Sequence, residues 1–291
     1  MLIRLGYEIA IACDQATPVI SLLEIHSDRQ PDIKQQTRVL TSPSVSSQTY
    51  TDLYGNVCRR LIAPPGGVRL TYDAVIEDSG LPDEVNPQAR ETPIEDLPHD
   101  TLGYLLGSRY CETDHLMGLA WQLFGHLPRG WARVQAIMDY VHNRLSFGYG
   151  YARSTRTAAQ ANDERVGVCR DFAHLSIALC RCMNIPARYV NGYLGDIGVP
   201  FDPAPMDFSA WTEVFLDGKW YTFDARHNKP RIGRVVIARG RDATDVPLLH
   251  TFGPHSLTLF KVWTAEQDEA DVQPDAPAQP VDRTVRAHII A

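Results

Sequence analysis

The dipeptide Asp217-Gly218 constrains this chain more than any other short stretch. It separates SAWTEVFL from KWYTFDAR, two runs rich in β-branched and aromatic residues. An Asp-Gly pair between such runs specifies a two-residue hairpin, because both central residues of the favoured turn need positive φ. The turn fixes the register: Leu216 faces Lys219, Trp211 faces Asp224 and Ser209 faces Arg226. Alternation then groups Ser209, Trp211, Glu213 and Phe215 on one face with Trp220, Thr222, Asp224 and Arg226. Ser209 and Asp224 become diagonal neighbours, about 7–8 Å apart along the backbone.

Upstream, GVCRDFAHLSIALC spans Gly167 to Cys180. Phe172, Leu175, Leu179 and Cys182 or Met183 recur at spacings of three and four, which predicts an amphipathic helix starting near Cys169. MNIPAR ends it, since Pro186 cannot continue a helix and biases Ile185 away from helical angles. A thiol at a helix start meets partial positive charge and unpaired N–H groups, so Cys169 is expected to shift toward thiolate. Its own N–H could face the oxyanion of an attacked carbonyl. Gly167 allows close approach without a side chain. Cys180 and Cys182, deeper in the helix, read as small buried hydrophobes.

A histidine at position 209 would complete a nucleophile, base and orienter with Cys169 and Asp224. The residue is serine, whose neutral hydroxyl cannot take a thiol's proton at neutral pH. His227 could serve as a surrogate base only if the chain bends after Asp224, because alternation turns it to the other face. His174 lies about 140° round the helix from Cys169. His250 and His255, in LLHTFGPHS, have no position that the sequence can assign. Trp211 and Trp220 could wall the cleft, with core packing the default. Asp171 suits the first helical turn and a structural ion pair. Arg239 and Arg241 could face an acidic substrate group, or lie in a solvated loop. Cys180-x-Cys182 lacks zinc-ligand spacing, so no metal and no cofactor are expected.

The rest of the chain divides by composition. Residues 1–80 carry strand-like runs such as RLGYEIAIA and VRLTYDAVIE, which suggest an antiparallel β-sandwich-like domain. Residues 81–100 are rich in Pro and acid and read as a linker. Residues 101–265 form the expected α+β core, with the cysteine helix packed on an antiparallel sheet. Residues 266–291 read as a Pro- and acid-rich tail. The six cysteines are scattered in a 291-residue chain, which needs no disulfide framework. A net charge of −7 gives no electrostatic reason to bind nucleic acid or an anionic membrane. The first residues do not read as a signal peptide, and no apolar run is long enough to span a bilayer, so a cytoplasmic location is expected. Nothing in the sequence speaks to oligomeric state.

RVGVCRDFAHLSIALCRCMNIPARYVNGY and FSAWTEVFLDGKWYTFDARHN together resemble the bacterial transglutaminase-like family. Its members are described as cysteine proteases with a papain-like core behind a β-rich N-terminal region. The resemblance is specific over residues 165–228 and extends to about residue 265. It implies that Cys169 is the nucleophile and Asp224 the third member of a triad. The family's HAW triplet reads SAW here, at Ser209, Ala210 and Trp211. The implied activity is attack by a Cys thiolate on a peptide or amide bond through an acyl-enzyme, with a peptide or protein amide as substrate. The alternative is a catalytically impaired descendant that binds a peptide or protein partner in the inherited cleft.

Overall fold

The Asp217-Gly218 turn forms with positive φ at both residues, 49° and 83°. Pairing follows from it, from Leu216 with Lys219 to Thr212 with Phe223. There it stops. The strand Lys219–Phe223 ends before Asp224, and residues 225–227 form a turn. The pairs expected beyond it, Trp211 with Asp224 and Ser209 with Arg226, do not form. The cause is local. The Asp224 carboxylate accepts the backbone N–H groups of Arg226 at 3.0 Å and His227 at 3.3 Å, and such side-chain bonds compete with a ladder.

The computed structural model describes residues 1–267. The hairpin lies in a four-stranded antiparallel sheet whose strands run in the order Lys219–Phe223, Ser209–Leu216, Ala187–Leu194 and Arg234–Gly240. Every residue of Ser209–Leu216 is buried, because both faces of the sheet are covered. On one face sits the helix Cys169–Cys182, to which Thr212 donates a long hydrogen bond at the Ala173 carbonyl, 3.5 Å. On the other, Trp211 packs with Val190 and Val236. The cysteine helix is buried along its whole length, with Thr113–Phe124, Trp131–Arg144 and Ala158–Glu164 packed around it. The chain is thus α+β, with a strand-rich N-terminal region ahead of a helix-on-sheet core.

That region holds two antiparallel sheets. One is built on Leu2–Ala12 and Val68–Glu77, the other on Thr17–Ser21 and Val57–Ala63. The end of the expected core needs correction. Leu249–Thr251 leaves the core to pair with Thr17–Ser21, and Ser256–Gln267 pairs along Leu2–Ala12. Leu2–Ala12 has two edges of backbone donors and acceptors to satisfy, and Val68–Glu77 covers only one. A strand from the far end of the chain covers the second, a long-range pairing that local periodicity does not encode. Of the expected tail, Glu266 and Gln267 belong to this strand, and the remainder lies outside the described residues.

The N-terminal sheet reaches the core at Phe208, whose ring lies 6.4 Å from Tyr7, 6.0 Å from Phe260 and 5.1 Å from Tyr193. Phe208 is the residue before Ser209, so this aromatic cluster fixes where the strand Ser209–Leu216 begins.

Candidate functional site

Cys169 is the first residue of its helix. The start is fixed by Asp171, whose Oδ2 accepts the Val168 N–H at 2.9 Å and pairs with Arg156 at 3.0 Å. Gly167 makes room for that carboxylate, since a Cβ there would stand 2.6 Å from the Asp171 Cβ. Asp171→Ala is expected to cost about 1–3 kcal/mol, because it frees a capped N–H and removes one partner of a buried Arg156, which keeps Glu164 and the Tyr151 carbonyl. The readout is the urea midpoint at constant slope. A loss below about 1 kcal/mol would show that the pair does not hold the helix start.

The expected thiolate character is reversed. Cys169 is 2 % exposed. Burial is the largest influence on its thiol, and it raises the pKa. Arg226 and the Ala210 N–H pull the other way, while Asp207 and Asp224 push further up, to a net value of about 11. A fully buried sulfur anion forfeits its hydration, and that loss exceeds what a helix terminus returns.

Beside the thiol lies a cavity of about 20 Å³, lined by Tyr189, Asn191, Phe208, Ser209 and Ala243 among others. Phe208 and Ser209 also line a second cavity of about 80 Å³, with Tyr149, Asp207, Arg226 and His227. Ser209 is therefore the partition between the thiol and a polar chamber.

Asp224 is buried; its partner His227 lines that chamber, while Asp224 itself borders a separate cavity with Trp131 and Asn228. Besides the two backbone N–H groups, it accepts His227 Nδ1 at 2.8 Å and Arg234 Nη2 at 2.9 Å, both on Oδ2. Burial opposes its ionisation, but Arg234 and His227 outweigh burial and hold the carboxyl well below the usual carboxylate range. The bend that a surrogate His227 requires is present, and the turn after Phe223 brings the imidazole back onto Asp224.

Sequence reasoning missed Asp207. Its Oδ1 is shielded from solvent and has no hydrogen-bond partner among the described residues. Burial pushes its carboxyl up to about 7, against the Phe208 N–H and Arg226. One signal could have found it. Asp207 stands two residues before Ser209, and an extended chain puts such residues on one side. Arg226, which the extended register aimed at Ser209, instead lays its guanidinium over the Phe147 ring, 3.7 Å from the centroid.

The remaining candidates lie elsewhere. Trp211 does not line the thiol's cavity. It sits on the sheet face away from the cysteine helix, beneath Arg234 at 4.9 Å. Trp220 packs edge-on against Phe215 and Tyr104. His174 stacks between Tyr110 and Tyr189 and accepts the Ala243 N–H, and burial keeps it neutral. His250 and His255 lie on or beside the strand that pairs with Thr17–Ser21. Arg239 is engaged by Glu213 and Asp28, and Arg241 by Asp245. Cys180 and Cys182 are fully buried. Among the described residues no group of three or more His, Cys, Asp or Glu could hold a metal, and no helix is long and apolar enough to cross a membrane.

Residues 122–225 match the model of the transglutaminase-like superfamily. Over nearly its whole length the chain is similar to a crystal structure described as a "Putative Cysteine Protease" from Cytophaga hutchinsonii. Identity is 30%, the TM-score is 0.80, and 96% of this chain and 94% of that one are covered. The chain belongs to the transglutaminase-like family. An uncharacterized protein of Mycobacterium leprae is 26% identical over 72% of this chain and 77% of its own length. One of Mycobacterium tuberculosis is 32% identical over 134 residues, 40% of this chain and 41% of its own length.

Proposed function

We propose that the protein is a transglutaminase-like thiol hydrolase of the cysteine-protease or amidase type, with Cys169 as nucleophile and Ser209 in the place of the triad histidine. The observation that carries this reading is the Asp224–His227 hydrogen bond of 2.8 Å, made beside a chamber whose wall also bounds the thiol's cavity. The carboxylate is retained and still holds an imidazole, although that imidazole lines the chamber and not the thiol's own cavity. Cys169 would attack the carbonyl carbon of a peptide or amide, and the Ala210 N–H, which favours the thiolate, lies beside the same cavity. The C–N bond would break and the amine leave, and water would then hydrolyse the thioester to the acid and the free thiol.

Cys169→Ala tests the assignment. An amide-directed electrophile should form one covalent adduct with the wild type and none with the variant, read by intact mass. An adduct that survives the substitution sinks the assignment.

A second reading has its own support. The thiol at about 11 and the 20 Å³ space beside it describe a site with little reactivity and no room for a substrate. A descendant of an enzyme that binds a peptide or protein partner would look like this. It predicts no adduct with either protein, and saturable peptide binding that Cys169→Ala leaves intact.

A further inference from the structure

Two charged side chains flank the position where imidazole is missing. Asp207 and Arg226 line the chamber behind Ser209 from the open end of the hairpin, one just before its first strand and the other just after its second. Asp207 carries a shielded oxygen with no hydrogen-bond partner among the described residues, an arrangement that costs stability, and unlike Asp171, whose other oxygen holds Arg156 and the Val168 N–H, it has no ion pair among them to offset that cost. Arg226 is fixed at both ends, its backbone N–H on Asp224 and its guanidinium over Phe147. After burial itself, these two act most strongly on the thiol, ahead of Asp224.

We infer that Asp207 and Arg226 together take over the role of the absent histidine, Asp207 exchanging the proton of the Cys169 thiol and Arg226 holding the thiolate that results. This rests on Cys169 being the nucleophile. In the forward step the S–H bond breaks, the proton crosses the partition through the Ser209 hydroxyl, which lines both cavities, and an O–H bond forms on Asp207, while the sulfur pair attacks the carbonyl carbon. The same proton then passes to the leaving nitrogen as the C–N bond breaks. In deacylation Asp207 takes a proton from water, the resulting hydroxide attacks the thioester, and as the C–S bond breaks the proton returns from Asp207 to the departing sulfur, restoring thiol and carboxylate. A carboxyl that titrates near neutrality can both accept and donate at working pH, as this sequence needs. Arg226, His227, Arg231, Tyr149, Asp196 and Asp202 share its chamber, and Cys169 faces the partition from the helix.

The first test needs no substrate. Iodoacetamide labelling of Cys169, resolved by mass spectrometry, is followed against pH in wild type, Asp207→Asn, Asp207→Glu and Arg226→Gln, each checked for an unchanged thermal transition. A proton shared between thiol and carboxyl gives a shoulder near pH 7 below the main rise. Asp207→Asn should remove the shoulder, Asp207→Glu should keep one at a shifted pH, and Arg226→Gln should slow labelling at pH 8 by about tenfold. Four superimposable profiles, or a wild type with no shoulder, overturn the inference.

The second test compares leaving groups. Asp207→Asn should lose about 10²–10⁴-fold on a peptide p-nitroanilide, which needs a proton to leave, and less than about tenfold on a p-nitrophenyl ester, which does not. Equal losses on both would mark a structural role and overturn it. If the wild type cleaves neither compound, the hydrolase reading fails, and the labelling shoulder still decides whether Asp207 exchanges the proton.

Discussion

Ser209→His raises hydrolysis of a peptide anilide by about 10²–10⁴-fold, the usual worth of a positioned general acid–base. The partition residue already faces both the thiol's cavity and the chamber of about 80 Å³ behind it, so an imidazole has somewhere to go. The carboxylate that would orient it, Asp224, is ionised and buried, and reaches the chamber through its hydrogen bond to His227. One contest must be resolved. His227 already occupies Oδ2 of Asp224, and a new imidazole has to share that carboxylate or displace it. Ser209→His combined with His227→Ala therefore should gain at least as much as Ser209→His alone. The measurement is kcat/KM for both variants and the wild type at pH 7.5, with thermal transitions to confirm folding. A folded Ser209→His protein with no gain in either background would mean that the substrate-facing parts of the site have also drifted, and would favour the binding reading. The variant also bears on Asp207. With imidazole restored, Asp207→Asn should cost far less than it does beside Ser209, because two groups that perform one task are not additive.

Much of this could be read from the sequence, and what could not has a physical cause. The turn residues Asp217 and Gly218 encode their own backbone angles, so the register from Leu216 to Phe223 is legible locally. The Cys169 helix start is likewise local, written in the Gly167 to Asp171 spacing. The end of the second strand is not. It depends on whether the Asp224 carboxylate bonds its own downstream N–H groups or lets the ladder continue, and in an alternating pattern the two look alike. That choice moves Arg226 and His227 from predicted strand positions into the chamber. The thiol was misjudged for a different reason. Helix termini are visible in sequence, but desolvation depends on what covers the sulfur, and part of the cover comes from residues 243–248, far along the chain. Asp207 was invisible because a carboxylate in DPAPMDF reads as a loop residue until the Tyr7, Tyr193 and Phe260 rings fix Phe208 beside it.

Cys169 in the wild type should label far more slowly than a free thiol at neutral pH. A group that titrates near 11 is about 10⁻³ thiolate at pH 8, whereas an ordinary cysteine near 8.5 is about one quarter thiolate, so the deficit is some hundredfold before access is counted. The sign follows from the raised value: labelling climbs with pH, with its main rise near 11. Glutathione is the proper reference. Cys58, the natural internal control, is itself buried and pushed up to about 11, chiefly by burial and then by Asp52. It should lag with Cys169 rather than calibrate it. If Cys169 instead outruns glutathione at pH 8, the buried arrangement cannot be the reacting one. The thiol's cover would then have to move, either residues 243–248 or the 195–208 connection that ends at Phe208, and the latter is held at one end by Arg231 on the Gly195 carbonyl and near the other by the Thr264 N–H on Met206. Loosening those ties with Arg231→Gln should then accelerate labelling further. If labelling is slow in both proteins, the energetic barrier to chemistry lies in the desolvated sulfur itself, and the groups around Ser209 decide how much of it is recovered.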